Sequence, residues 1–72
     1  MTPPIQLLDV VALTADLPER GLNRGQVGTV VEILAPTVFE VEFADDQGCA
    51  YALLALRDTQ LLVLRYDPQQ AA

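Results

Sequence analysis

The 72-residue sequence contains no histidine, no lysine and no tryptophan, and Cys49 is its single cysteine. General acid–base catalysis near neutral pH most often uses histidine, and a nucleophilic or zinc-bound thiolate needs histidine or further cysteines beside it. We therefore expect no enzymatic activity, no catalytic residue, no metal site and no cofactor. One cysteine cannot form an internal disulfide, so Cys49 is predicted to be a small buried hydrophobic residue.

Positive charge is scarce as well, because four arginines stand against ten acidic residues and the formal net charge is -6. Proteins that bind nucleic acid need a basic surface for its phosphates. RNA binding, with Arg20, Arg24, Arg57 and Tyr51 as contacts, is therefore a minor alternative. The charge balance agrees better with a basic protein partner.

The sequence also lacks any apolar run of the roughly 18 residues that a membrane-spanning helix requires. The first residues lack the charged and apolar regions of a signal peptide, so we expect a cytoplasmic protein without membrane contact. A chain of 72 residues has room for one domain. We place that domain at residues 7–66, between a loose N-terminal arm at 1–6 and a polar tail at 67–72.

The most informative stretch is a predicted β-hairpin. Gly25 and Gly28 flank the start of a β-branched run at residues 27–34, and glycine in a strand marks a bulge, a bend or a close approach of backbones. Strict alternation puts Val31 and Ile33 on one face and Val30 and Glu32 on the other. Pro36 separates this run from a second strand at 38–43, in which the larger apolar residues alternate with glutamates. Counting from the turn pairs Leu34 with Val38, Ile33 with Phe39, and Glu32 with Glu40.

Three further strands are predicted around this hairpin. The first covers residues 9–13 and leads into a long loop at 14–24, anchored by Leu17 and Leu22. A tight turn at 44–48 precedes a fourth strand at 49–54, and a single helical or 3₁₀ turn at 56–60 precedes the last strand, which runs from 61 to 65 or 66. The fold class is therefore all-β, a small five-stranded barrel.

The last strand has apolar residues on both faces, although a barrel wall buries only one. Leu62 and Leu64 therefore either pack under the N-terminal arm or the long loop, or form a surface for self-association or for a partner. An apolar edge strand left bare is prone to aggregation, so we expect something to cover it.

The second hairpin strand carries Glu40 and Glu42 on its outer face, with Glu32 predicted opposite Glu40 and Asp45 and Asp46 in the following turn. Like charges placed directly opposite each other destabilise a sheet. These five residues either form a solvated surface that keeps the protein soluble or bind a cationic protein partner. The two aspartates lack the further oxygen ligands of a calcium loop.

The glycine-containing segment at residues 25–32, together with the segments at 7–14, 41–43 and 60–62, resembles a family of small bacterial domains of unknown function, frequent in cyanobacteria. Segment 25–32 is also similar to the glycine-containing strand of KOW-type and other SH3-like modules. The resemblance implies an SH3-like barrel. SH3-like barrels act as accessory subunits and protein-docking modules, so it also implies an interaction module, an accessory or an antitoxin-like subunit. A purely structural homodimer is the remaining alternative.

Overall fold

The computed structural model describes residues 5–64, which form one antiparallel sheet of five strands in the order β4-β3-β2-β1-β5. The strands are β1 (Val10–Leu13), β2 (Val27–Ala35), β3 (Val38–Ala44), β4 (Ala50–Arg57) and β5 (Leu61–Leu64). A first 3₁₀ turn, Pro18–Arg20, lies in the loop after β1, and a second, Asp58–Gln60, joins β4 to β5. The predicted all-β fold is confirmed, with its long first loop and the 3₁₀ turn before the last strand.

The core lies on one side of this sheet. One row of register partners crosses all five strands and is buried or half-buried throughout: Val63, Val11, Gly28, Phe43 and Ala52. Leu54 and Leu56 of one edge strand and Leu61 of the other belong to the same buried cluster. Since β4 and β5 are opposite edges, the sheet curls around a single core, and its other side forms the outer face.

Gly28 brings β2 and β3 together at the centre of that core. A Cβ at this position would lie 2.7 Å from Val41 Cγ1 and 2.8 Å from the backbone oxygen of Glu42. Gly25 has a different role, because its φ of +90° sets the turn in which the Gln26 N–H donates to the Asn23 carbonyl. The close approach and the bend predicted for these glycines are both present.

The hairpin register is partly as predicted. Ile33 is paired with Phe39 and Glu32 with Glu40, but Ala35 rather than Leu34 lies opposite Val38. The register shifts between Val30 and Glu32 and again between Ile33 and Ala35, which makes Val31 and Leu34 the extra residues of two β-bulges. Each bulge interrupts the period-two alternation. By register Val30 and Ile33 both lie opposite buried residues of β3, Val41 and Phe39, so the prediction that they occupy opposite faces is wrong, although Ile33 itself is 48% exposed and Val30 is fully buried.

The long loop is anchored as expected. Leu17 and Leu22 form an isolated β-bridge, and Leu22 is almost fully buried while Leu17 packs against the core. The first 3₁₀ turn, which no sequence pattern predicted, lies between these two anchors.

Two expectations about the second half of the chain are corrected. β4 continues to Arg57, because β3 is long enough for Val38 to pair with that residue, and the 3₁₀ turn begins only at Asp58. Cys49 is exposed, since it lies in the turn before β4 and not within the strand, so its predicted burial is wrong.

The predicted arm and tail fall largely on residues 1–4 and 65–72, outside the described residues. Ile5 packs against the core, and the Gln6 N–H donates to Asp9 Oδ2. Across residues 5–64 there is no helix with the length and apolar character to cross a membrane.

Candidate functional site

The outer face is defined by the register of the five strands. Register partners in antiparallel strands point to the same side of a sheet, and residues two apart on one strand share a side. One outer row therefore crosses the sheet through five residues: Leu64, Val10, Thr29, Glu42 and Leu53. The neighbouring row on β2, β3 and β4 consists of Glu32, Glu40 and Ala55.

Three of the predicted acidic residues come together on this surface, and we call them the acidic face: Glu32, Glu40 and Glu42. Glu32 is exposed, while the other two are half-buried. No salt bridge to a residue of the described part of the chain neutralises them. Glu32 and Glu40 are direct cross-strand partners, an arrangement that costs folding free energy when both residues carry the same charge.

Asp45 and Asp46 lie apart from the acidic face, in the turn that follows β3. The Asp45 Oδ1 atom accepts hydrogen bonds from the Gln47 and Cys49 N–H groups, each at 2.9 Å. The carboxylate of Asp45 therefore stabilises the turn, and Asp45 is also the residue at which that turn begins. Asp46 is exposed beside it. The geometry gives Asp45 a structural role, independent of any partner.

An exposed apolar group occupies the β1–β5 side of the outer face, and we call it the apolar strip: Val10, Val27, Leu62 and Leu64. Leu62 is 57% exposed and Leu64 is 41% exposed, so neither packs under another segment of residues 5–64. Leu64 faces Val10 across the strands, and Val10 faces Thr29, the partner of Glu42. The apolar strip and the acidic face therefore lie in one row of the outer face, with Thr29 between them.

A groove of about 380 Å³ lies elsewhere, between the first 3₁₀ turn and the edge strand β4. Its lining is Leu17, Glu19, Arg20, Leu54, Ala55, Leu56 and Gln60. One carboxylate and one guanidinium stand beside apolar side chains, and no pair of a nucleophile and a base is present in this lining. Within residues 5–64, no three metal-binding side chains converge on one point.

The residues proposed for RNA contact are spread over the molecule. Arg20 lines the groove, and the backbone N–H of Arg24 donates to Asp16 Oδ1 in the long loop. Tyr51 and Arg57 lie near opposite ends of β4, about 20 Å apart at the rise of a strand. The Tyr51 phenol accepts a hydrogen bond from Gln26 Nε2 at 3.0 Å. RNA binding stays a prediction.

Sequence reasoning identified the glutamates and the apolar last strand as separate features and missed that they lie in one row of the outer face. The missing information is the strand order, which inserts β1 between β2 and β5 and so aligns Val10 with both Thr29 and Leu64. The exposure of Val10 and Val27 was not predictable either, because β-branched residues at these positions fit buried strands equally well.

A family model described as "Domain of unknown function (DUF4926)" matches residues 7–63. No curated protein and no solved structure matches the chain significantly.

Proposed function

The chain belongs to this DUF4926 family of unknown function, and we propose that it is a cytoplasmic protein-interaction module without enzymatic activity, an accessory or antitoxin-like subunit that binds a basic protein partner. We also infer that it is a bacterial domain of the SH3-like, KOW-related type, in line with its order of strands and turns.

The observation that carries the proposal is that the acidic face and the apolar strip lie in one row of the outer face. Protein interfaces combine an apolar centre with a polar rim, and large exposed apolar patches in small proteins mark contact sites. Leu62 and Leu64 would supply apolar contact area, while Glu32, Glu40 and Glu42 would select a partner with arginine or lysine at its rim. Complementary charge speeds encounter and sets specificity more than it adds affinity.

The cost of the Glu32–Glu40 pair supports the same interpretation. A surface that served solubility alone gains nothing from placing two carboxylates directly opposite each other, and it loses stability. Replacing Glu32 by glutamine should therefore leave the fold intact or slightly more stable. Loss of binding in such a variant is then attributable to the lost charge and not to unfolding.

The test is capture from lysate of the source organism at low and high salt, followed by mass spectrometry. The wild-type chain is expected to retain a stoichiometric basic protein at low salt and to release it at high salt. The triple variant Glu32→Gln, Glu40→Gln, Glu42→Gln should lose it. A control, Glu19→Gln with Asp58→Asn, changes two exposed acids outside the acidic face and should capture normally. Equal capture by the triple variant would refute the role of the acidic face.

A homodimer formed through the apolar strip is the second candidate, favoured by the exposure of Leu62 and Leu64. It predicts a salt-resistant dimer, since apolar contacts are not screened by ions. Recovery of the chain alone, as such a dimer that Leu62→Lys dissociates, would favour this candidate over a basic partner.

A further inference from the structure

The edge strand β4 has little of the protection that exposed strand edges normally carry. Natural edge strands are short, contain lysine or proline, or are covered by other segments. β4 is eight residues long, with the sequence AYALLALR, and its only charged residue is Arg57 at its end. Leu53 is 55% exposed, although it lies in the middle of the strand. The opposite edge, β5, covers four of the described residues, Leu61–Leu64.

The hydrogen bonding of the β3–β4 pair identifies which backbone groups point outward. The Asp58 N–H donates to the Thr37 carbonyl at 3.0 Å, one residue beyond the register pair of Val38 and Arg57. Residues of an antiparallel pair alternate between those that bond to the neighbour and those that point away. By this alternation Leu54 and Leu56 bond to β3, whereas Leu53, Ala55 and Arg57 direct their N–H and carbonyl groups to the free edge.

One of these outward residues is already capped. The Arg57 N–H donates to Gln60 Oε1 at 2.8 Å, so the side chain of the second 3₁₀ turn closes that end of the edge. For the N–H groups of Leu53 and Ala55, no described residue outside the sheet provides an acceptor. Leu53 and Ala55 therefore form a free part of the edge in the middle of β4.

We infer that β4 pairs with β4 of a second copy of this chain, antiparallel and centred on Leu54. In this register Leu53 lies opposite Ala55 of the second copy, and Ala55 lies opposite its Leu53. Both pairs use the outward backbone groups and form the hydrogen-bonded type of antiparallel pair. The interface is symmetric, as most protein dimers are.

Charge and shape along the edge favour a second copy in this orientation. β4 begins after the acidic turn of Asp45 and Asp46 and ends at Arg57, so antiparallel pairing moves each arginine towards the acidic end of the other strand. Parallel pairing would bring like charges together. In this register, the exposed Leu53 of one copy packs over the small Ala55 of the other copy on the outer face. A groove of about 380 Å³ separates Leu54 and Ala55 from the first 3₁₀ turn.

The test uses the full chain, with its mass in solution measured by light scattering and sedimentation over a concentration series. A dimer is expected. Because the interface is symmetric, Leu53→Lys places one charge in it from each copy. The dissociation constant should rise about tenfold for each of the two charges, and so about a hundredfold in all. Leu7→Lys is the matched control, because Leu7 is a leucine of equal exposure outside β4 and outside the apolar strip, and the dissociation constant should be unchanged.

Amide hydrogen exchange on the unmodified chain gives a second result that does not depend on any variant. The amides of Leu53 and Ala55 should exchange more slowly as concentration rises, while that of Val63, which by the same alternation points to the free edge of β5, does not change. A chain that is monomeric at millimolar concentration would overturn the inference. A dimer that Leu62→Lys dissociates while Leu53→Lys does not would assign self-association to β5. Protection of Leu53 and Ala55 only by an added basic protein would assign the edge to that partner.

Discussion

Replacement of Gly28 by alanine tests the central packing contact of the fold. The added methyl group would lie 2.7 Å from Val41 Cγ1, 2.8 Å from the Glu42 backbone oxygen and 3.0 Å from Phe43 Cδ2. Val41 and Phe43 are fully buried, and the Glu42 oxygen belongs to the backbone of β3. None of the three groups is the free end of a flexible side chain. The variant therefore has to move β2 away from β3.

The size of the effect follows from two opposing terms. Forcing an extra methyl group into a packed core costs about 1–3 kcal/mol, and the three close contacts place this site near 3 kcal/mol. Alanine recovers about 1 kcal/mol, because glycine loses more backbone entropy on folding. The net loss of unfolding free energy is about 2 kcal/mol. For a domain of this size that lowers the melting temperature by roughly 8–16 °C.

The assay is thermal and urea unfolding followed by circular dichroism, with Gly25 as the control position. Gly25 has a φ of +90°, and no atom lies within 4 Å of the place that a Cβ would take, so Gly25→Ala suffers from backbone strain alone and Gly25→Asn should recover part of the loss. Asparagine at Gly28 should be worse than alanine, because the constraint there is space. A Gly28→Ala protein as stable as wild type would refute the close β2–β3 packing.

Two further substitutions probe the turns. Leu8 has a φ of +71° and a side chain that is 69% exposed, so Leu8→Asn should raise the unfolding free energy by about 1 kcal/mol, and a lower urea midpoint would contradict the strain. Asp45→Ala should lower the unfolding free energy by about 1 kcal/mol, because two turn hydrogen bonds are lost. Asp46→Ala should be close to wild type in stability. An equal loss in both variants would contradict the turn geometry.

Local signals predicted most of the fold. The alternation of Phe39, Val41 and Phe43 with glutamates identified the buried face of β3 correctly, because one apolar face and one polar face leave only one register that buries the apolar set. Pro36 located the hairpin turn, and Leu22 was correctly placed in the core. Each of these signals depends on residues close together in sequence.

Features that depend on two strands at once were not predictable in the same way. The bulges at Val31 and Leu34 reverse which side the following residues occupy, yet a bulged and a regular strand of β-branched residues have the same composition. The length of β4 was underestimated for a related reason. Arg57 remains in the strand because Val38 lies opposite it, and the residues around Arg57 alone resemble a turn.

The order of the strands determines which side chains lie together on the outer face. Glu42 and Leu64 are far apart in the chain, and only the position of β1 between β2 and β5 places them in one row. A solvated face needs carboxylates but no exposed leucines, and a self-association face needs leucines but is opposed by carboxylates of equal charge on the second copy. A basic partner with apolar residues at its centre uses both sets of side chains, which is why the presence of both in one row favours it. Self-pairing of β4 is compatible with such a partner, because antiparallel pairing of two edges extends one sheet and leaves both outer faces on the same side.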